Sequence, residues 1–420
     1  MFDISLDFIK KFKRNLFPFY KKKELRFVFK ELQKNFPIDI VTARFVGGCV
    51  RKYLSNAEID DIDIATVLST DEIKERFKNS NFKVIETGTK HGTVTLVSEK
   101  LKLEITTLRK DIKTDGRHAE VEYIDNWQLD SERRDFTINS IYLDIKGKIF
   151  DPQSGLVDLK NNNVKFIGDP QKRIEEDYLR IIRFVRFKIM YDGKIESSTN
   201  KAIKQNLNGI KKISKERVLE ELFKILDLKN FLNLNDYSDL KEMFINIFPE
   251  FENLRRLERL TKICAHSQLN RNLLLATLLI DDRNSHEYFC HKYNVSNEIK
   301  DNLNLFAKNL DLIKRNKDFL NKDLEKSIYL YSKSHLIYLN ILNFVINTKL
   351  KIEVFSETLK RILKSKKHEF TYDGKYLLDK GMQQGVLIGK TLKKIEEEWI
   401  NNNFKISQER VQEIIRLHSN

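Results

Sequence analysis

Two regimes of hydrophobic patterning divide the chain. From residue 41 to about 150, short runs rich in Val, Ile, Thr and Phe recur between turn residues: VTARFVGG, DIDIATV, FKVIETG, GTVTLV, LKLEITTL and IYLDI. Their length and β-branched content predict strands. Between the second and third lies TDEIKERFKNS, a short helix with Ser69 or Thr70 as its cap and Asp71 and Glu72 in its first turn. The pattern predicts a mixed α/β unit around a small, largely antiparallel sheet. After about residue 170, apolar positions recur at helical spacing instead, as in YLRIIRFVRFKIM, SKERVLEELFKIL and SHLIYLNILNFVI. A total of five prolines suits a long helical array. A glycine cluster in YDGKYLLDKGMQQGVLIGKTLKKIEEEW predicts tight turns or close backbone approach near the C-terminus.

Composition sharpens this picture in three ways. The 420 residues suffice for two to four domains. A formal charge of +15 and a pI near 9.3 favour a polyanionic partner, usually nucleic acid. No stretch approaches the ~20 apolar residues needed to span a bilayer. The N-terminal MFDISLDFIKKFKRNLFPFYKKK is basic and amphipathic but lacks a signal-peptide core, and Asp3 and Asp7 argue against a transit peptide. It reads as a helix packed on the domain that follows. Cys49, Cys264 and Cys290 form no disulfide framework, which suits a reducing cytoplasm. Cys264/His266 and Cys290/His291 match no zinc-finger spacing, and Asp281-Asp282 lacks the preceding His of an HD phosphohydrolase.

Three polar blocks carry candidate chemistry. Asp61 and Asp63 flank Ile62 after the turn Gly47-Gly48-Cys49-Val50-Arg51. Alternate residues of a strand share a face, so both carboxylates would point one way while Ile62 and Ile64 bury the other. Paired carboxylates suit a hard divalent cation such as Mg2+. Adjacent glycines let backbone N–H groups approach a phosphate, whose charge Arg51 can neutralise. Together they suggest metal-assisted chemistry on a nucleoside triphosphate; a solvated acidic turn remains the simpler alternative. The second block is Arg134-Asp135 within Glu132–Ser140. An Arg beside an Asp can grip phosphate and a ribose hydroxyl together, or can simply close a turn as an ion pair. In the third block, Glu176, Arg180 and Arg183 fall along one side of a predicted helix, with Asp177 close by and Arg186 following. A charge stripe would explain them, except that Ile181, Ile182, Phe184, Val185 and Phe187 imply a covered helix.

The order and spacing of these blocks resemble one family, the class II tRNA nucleotidyltransferases or CCA-adding enzymes, with their bacterial poly(A) polymerase relatives. The family pattern GGxVRD…DxDxxT, DGR, RRDxTxNA, FDPxxGxxDL…IGD and EDxxRxxRxxRF is matched here by GGCVRK…DIDIAT, KTDGRHAEVEY, RRDFTINS, FDPQSGLVDL with FIGD, and EDYLRIIRFVRF. The match runs from Arg44 to Phe187 and continues into ISKERVLEELFKIL. Several long motifs in order make chance agreement remote. Lys52, Asn56 and Ser140 depart from the family's usual Asp, Gly and Ala, and Lys52 leaves open how that turn is tied down.

The resemblance implies roles residue by residue. Asp61 and Asp63 would hold two Mg2+ ions that activate a primer 3′-hydroxyl and stabilise departing pyrophosphate. Gly47, Gly48 and Arg51 would contact the triphosphate, and Arg134 and Asp135 the ribose and phosphates. Asp177 and Arg180 would read the incoming base, with Arg183 and Arg186 supporting the site. Cytosine and adenine each place an amino donor beside a ring-nitrogen acceptor, which a carboxylate and a guanidinium complement; uracil and guanine invert that edge. Glu104 is either a third acidic group or, the preferred expectation, a structural residue. The Arg109–Glu122 stretch resembles the loop that governs the family's switch from C to A addition. His91 and His118 lie near it without a role in the metal mechanism.

The expected architecture is therefore an α+β fold. A nucleotidyltransferase head with a small mixed, mainly antiparallel sheet (residues 1–150) precedes a helical neck (151–230), body (231–330) and tail (331–420). The implied activity is template-independent CCA addition to tRNA from CTP and ATP, with the acceptor arm and elbow held on basic helices in the cytoplasm. Alternatives are a poly(A) polymerase, disfavoured by the lack of a long basic C-terminal extension, a partial CC- or A-adding enzyme, and a non-catalytic RNA-binding protein of the same fold.

Overall fold

The computed structural model describes residues 18–88, 92–114, 119–191, 195–264, 269–316 and 319–419. The expected N-terminal basic helix, His91, His118, His266 and the DGR segment lie mostly or wholly outside these residues. Two compact units divide the chain after Pro249.

The first unit is built on a seven-stranded sheet in the order β3-β4-β5-β2-β1-β8-β9. Its strands are β1 (Ala43–Val46), β2 (Asp63–Thr66), β3 (Lys83–Gly88), β4 (Thr93–Val97), β5 (Lys102–Thr107), β8 (Tyr142–Leu143) and β9 (Ile149–Phe150). Among the described residues, only β2 and β5 run parallel; the other pairings of the sheet are antiparallel. The mixed, mainly antiparallel sheet of the sequence reading is thus observed. Directly paired residues share a face, so the register aligns Val94, Ile105, Ile64, Phe45 and Leu143 as one buried row. The helix Lys23–Gln33 presents Phe29 to Phe45 on this side, ring centroids 4.5 Å apart. The opposite face carries Glu104, Asp63, Val46 and Tyr142 in one line. The expected cap of the next helix is Ser69, in a reciprocal capping box with Glu72. Strands β6 (Arg109–Thr114) and β7 (Ala119–Tyr123) form a separate two-stranded hairpin.

One expectation is corrected at Asp177. Glu176, Arg180 and Arg183 do not share a helix. The helix Pro170–Glu176 stops, Asp177 is extended at φ −153° and ψ 104°, and a new helix runs Leu179–Tyr191. The break is local chemistry: Asp177 Oδ1 accepts the Leu179 N–H at 3.1 Å, a capping interaction that competes with helix continuation. The second helix is buried on most sides, as its aromatic content implied. It packs against Lys215–Leu226.

The second unit, described by itself, is helical. Arg271–Leu279 is apolar all round and buried from Leu273 to Leu279, a central helix. Asn297–Arg315 and Lys333–Ile346 flank it. Toward the C-terminus, Leu377, Met382, Ile395, Val411, Ile414 and Ile415 form a core of their own. Gly381, at φ 93°, makes one of the tight turns that the glycine cluster predicted. A cavity of about 830 Å3 opens in this unit beside Asp281, His286 and Asn343, and none of the sequence-predicted site residues lines it. Among the described residues, no helix is long and apolar enough to cross a membrane.

Candidate active site

The site begins where β1 ends. Gly47 follows Val46 at φ 71°, a conformation that glycine adopts without strain, and the helix Gly48–Leu54 starts directly after it. A side-chain carbon on Gly47 would lie 3.5 Å from Asp63 Oδ2, so the glycine also keeps backbone close to the carboxylate. Asp63 opens β2, paired with Val46 on one side and Glu104 on the other. Asp61 stands just ahead of the strand, exposed, while Ile62 is buried. Glu104, expected to be either a third acidic group or a supporting structural residue, is exposed on the same face as Asp63 and directly in register with it. Lys52, the departure from the family pattern, pairs with Asp60 and ties the helix to the segment that delivers Asp61. Asn56 takes φ 55°, which Asn tolerates in place of Gly.

These carboxylates have the character of a cation site. Burial raises the Asp63 pKa to about 6, helped by the negative charges of Glu104 and Asp61 and opposed by Arg134 and Arg51. A divalent cation would relieve the same repulsion. Among the described residues, no three His, Cys, Asp or Glu side chains close into a ready-made cage. Cys49 is no rival nucleophile: burial pushes its thiol up to about 12.

Around this site the arginines are held by a polar network. Arg51 is buried, donates to Asn139 Oδ1 and lies 4.7 Å from the Phe187 ring centroid. Asn139 donates in turn to Asp135 Oδ1 at 2.9 Å, beside the Phe136 N–H at 2.8 Å. Asp135 Oδ2 takes a forked pair from Arg183, at 2.8 and 2.6 Å. Asp135 thus accepts from Phe136, Asn139 and Arg183 within the protein, at the position for which the resemblance implies a ribose and phosphate contact. Arg134 bonds to Asp130 and Tyr142, over the face that carries Asp63. Arg186 pairs with buried Glu221 at 2.7 Å. Sequence reasoning missed Asp130 and Glu221; their signals were, for Asp130, helical spacing from an Arg and, for Glu221, a place on the apolar stripe of an amphipathic helix with Val218, Leu222 and Ile225.

Asp177 and Arg180 meet through backbone only, Arg180 N–H to Asp177 C=O at 3.0 Å. Asp177 Oδ2 accepts from Arg217 at 2.9 Å, and Arg180 Nη1 donates to Glu176 at 2.6 Å and to the Arg173 carbonyl at 2.7 Å. Arg217 lies in SKERVLEEL, a segment recognised in the sequence without singling out this residue. Gly209 supports the junction by close approach: a Cβ there would meet the Tyr178 ring at 2.1 Å. Gly209→Ala is expected to displace Tyr178 and cost about 1–3 kcal/mol, read as a lower urea midpoint.

The network also sets an acid limit. Burial opposes ionisation of Asp130 and Asp135, yet their cations and hydrogen-bond donors hold both at about 2. A carboxylate depressed in the folded state contributes stability above its unfolded pKa of ~3.9 and loses it as pH falls toward the folded value. Each contribution is on the order of 2 kcal/mol. Urea midpoints are therefore expected to drop steeply between pH 4 and 2, after a slight rise between pH 7 and 5 as Asp63, whose folded pKa is raised to about 6, takes up its proton.

Comparisons with known proteins agree with this geometry. The sequence profile of the poly A polymerase head domain matches residues 43–165, and that of the probable RNA and SrmB-binding site of polymerase A matches 194–254. The mitochondrial CCA tRNA nucleotidyltransferase 1 of Mus musculus is 33% identical over 393 residues, covering 89% of this chain and 86% of the relative. A CCA-adding enzyme of Lactobacillus helveticus is 30% identical, covering 89% and 92%. Among solved structures, the Bacillus stearothermophilus CCA-adding enzyme in complex with CTP superposes with a TM-score of 0.70 at 24% identity, covering 94% of this chain and 98% of that one. The Thermotoga maritima CCA-adding enzyme complexed with tRNA gives 0.57 at 22%, covering 94% and 96%. At these identities the two structures speak for the fold.

Proposed function

This chain belongs to the family of CCA-adding tRNA nucleotidyltransferases, and on that premise we propose that it adds CCA to tRNA 3′ ends from CTP and ATP without a template. The observation that carries the reading is the centre of the sheet, where Asp63 at the start of β2, with Asp61 beside it and Glu104 in register, borders the left-handed Gly47. Divalent-cation use comes with the family; we take the ions to be two Mg2+, held by Asp61 and Asp63, where they would polarise the primer hydroxyl and neutralise charge on the phosphates. The primer 3′-oxygen bonds to the α-phosphorus as the bond to the pyrophosphate oxygen breaks, and pyrophosphate leaves. Gly47 and Gly48 keep the backbone open to the triphosphate, and Arg51 and Arg134 supply positive charge beside it.

Base choice falls to the junction at Asp177. Its oxygens keep lone pairs beyond those used by Leu179 and Arg217, and one bonding partner set on Arg180 is confined to Nη1. An amino group facing Asp177 and a ring nitrogen facing Arg180 describe cytosine and adenine. The intact carboxylates favour an enzyme over a binding protein of the same fold. The head, neck, body and tail boundaries at residues 150, 230 and 330 remain part of the proposal, as does a cytoplasmic setting. So does the assignment of the tRNA acceptor arm and elbow to the basic helices.

The test supplies purified protein with tRNA transcripts ending before CCA, ending in CC, or complete, and with each nucleotide alone or CTP with ATP. Two C residues and one A, then arrest, are expected. Long tails from ATP alone would point to a poly(A) polymerase, and no incorporation to a binding protein.

A further inference from the structure

One buried carboxylate organises the cations beside the site without belonging to it. Asp130 is fully buried. Its Oδ1 accepts from Arg133 Nε at 2.8 Å and Nη2 at 2.7 Å, and from the backbone N–H of Arg109 at the root of the β6–β7 hairpin at 3.4 Å. Its Oδ2 accepts from Arg134 Nη2 at 3.1 Å and from the Tyr142 hydroxyl at 2.7 Å. Arg134 Nε donates to the same hydroxyl at 3.1 Å. Tyr142 is thus a relay, accepting from Arg134 and donating to Asp130.

The placement of Tyr142 gives this clamp its meaning. Val46 pairs with Asp63 on one side and Tyr142 on the other, so all three occupy one row on one face. Two strand spacings, about 10 Å, separate the Asp63 and Tyr142 positions. The Arg134 guanidinium lies 5.2 Å from the Tyr142 ring centroid, above that same face. From there its charge already acts on Asp63, favouring the ionised carboxylate. Unrestrained, it would be drawn to the cluster of Asp61, Asp63 and Glu104, where a forked ion pair uses the very oxygens that a metal ion needs. A protein that keeps a cation next to a metal site must hold it back.

We propose that Asp130, acting with Tyr142, is a positioning residue that holds Arg134 off the metal carboxylates and leaves Asp61 and Asp63 open to a divalent cation. It acts through Arg134 and touches neither substrate nor ion. The inference rests on reading Asp61 and Asp63 as the metal ligands.

Mn2+ titrated into the nucleotide-free protein, followed by calorimetry or by the electron paramagnetic resonance of free Mn2+, tests both. Asp130→Asn keeps the shape and removes the charge, and is expected to weaken Mn2+ binding about 10–100-fold, as loss of an outer partner typically does. The double variant Asp130→Asn with Arg134→Gln removes the released guanidinium and is expected to recover binding close to that of the unmodified protein. A merely structural Asp130 would give no such rescue. Tyr142→Phe loses one hydroxyl and keeps the ring, and is expected to weaken binding roughly two- to tenfold. Unchanged binding in Asp130→Asn, or a double variant as weak as the single, overturns the proposal. Should Asp130→Asn not fold, unchanged binding in Tyr142→Phe overturns it instead. Unmodified protein whose Mn2+ binding survives Asp63→Asn would defeat the metal reading itself, and the Asp130 role with it.

Discussion

Replacing Asp63 with Asn should lower nucleotide incorporation at least about a thousandfold, some 4 kcal/mol of barrier, while tRNA binding stays within a small factor of the original. The substitution is nearly isosteric, and its position at the start of β2 between Val46 and Glu104 keeps the backbone ladder intact. It removes a charge where three carboxylates crowd. Burial, helped by that crowding, is what raises the Asp63 proton affinity, so removing the charge should leave the fold as stable or slightly more so in metal-free protein at neutral pH. Activity and stability would then move in opposite directions, which a residue of purely structural value would not do. Single-turnover incorporation of CTP, filter binding of tRNA and thermal unfolding read the three quantities. Incorporation within tenfold of the original would sink the assignment of Asp63 to the metal.

The head of this protein was legible because its chemistry is written in short local blocks. Asp61-Ile62-Asp63 follows a Gly-Gly turn within a few residues, and alternation in a strand is a property of the backbone. Glu104 was harder to read. It lies 41 residues from Asp63, and only the parallel pairing of β2 with β5 puts the two side by side. The break at Asp177 also escaped the periodicity argument, since one side-chain cap outweighed a continuous apolar pattern. Partner choice was the least visible. Arg134, Asp135, Asp177 and Arg180 were all singled out as polar residues with a purpose, yet their partners were not: Asp130, Asn139 and Glu176 lie four residues from Arg134, Asp135 and Arg180, where several polar neighbours compete, and Arg217, 40 residues from Asp177, is brought there by tertiary packing. A motif names the groups at a site; burial decides which of them are tied to each other before any ligand arrives.

Asp135 is where that distinction has its largest consequence for stability. Asp135→Ala is expected to destabilise the first unit by about 3–5 kcal/mol, because removing one partner of a buried pair leaves the other uncompensated. Three elements converge on this carboxylate: the Phe136 N–H, Asn139 on the turn Thr137–Asn139, and Arg183 on the helix Leu179–Tyr191. Loss of the side chain frees Asn139, which in turn holds Arg51. Arg183 is partly exposed and can recover some hydration, which places the expected cost toward the lower end of that range. At ~2–4 °C per kcal/mol for a unit of this size, the midpoint of thermal unfolding should fall by roughly 6–12 °C. Asp135→Asn keeps an acceptor and should cost less. Combining Asp135→Ala with Arg183→Met removes both charges, so the double variant should be more stable than the sum of the single changes predicts, by about 1 kcal/mol or more. Strict additivity would mean that the forked pair contributes nothing of its own. A ribose-binding Asp135 with no structural duty would instead leave the unfolding midpoint in place and raise only the KM for nucleotide.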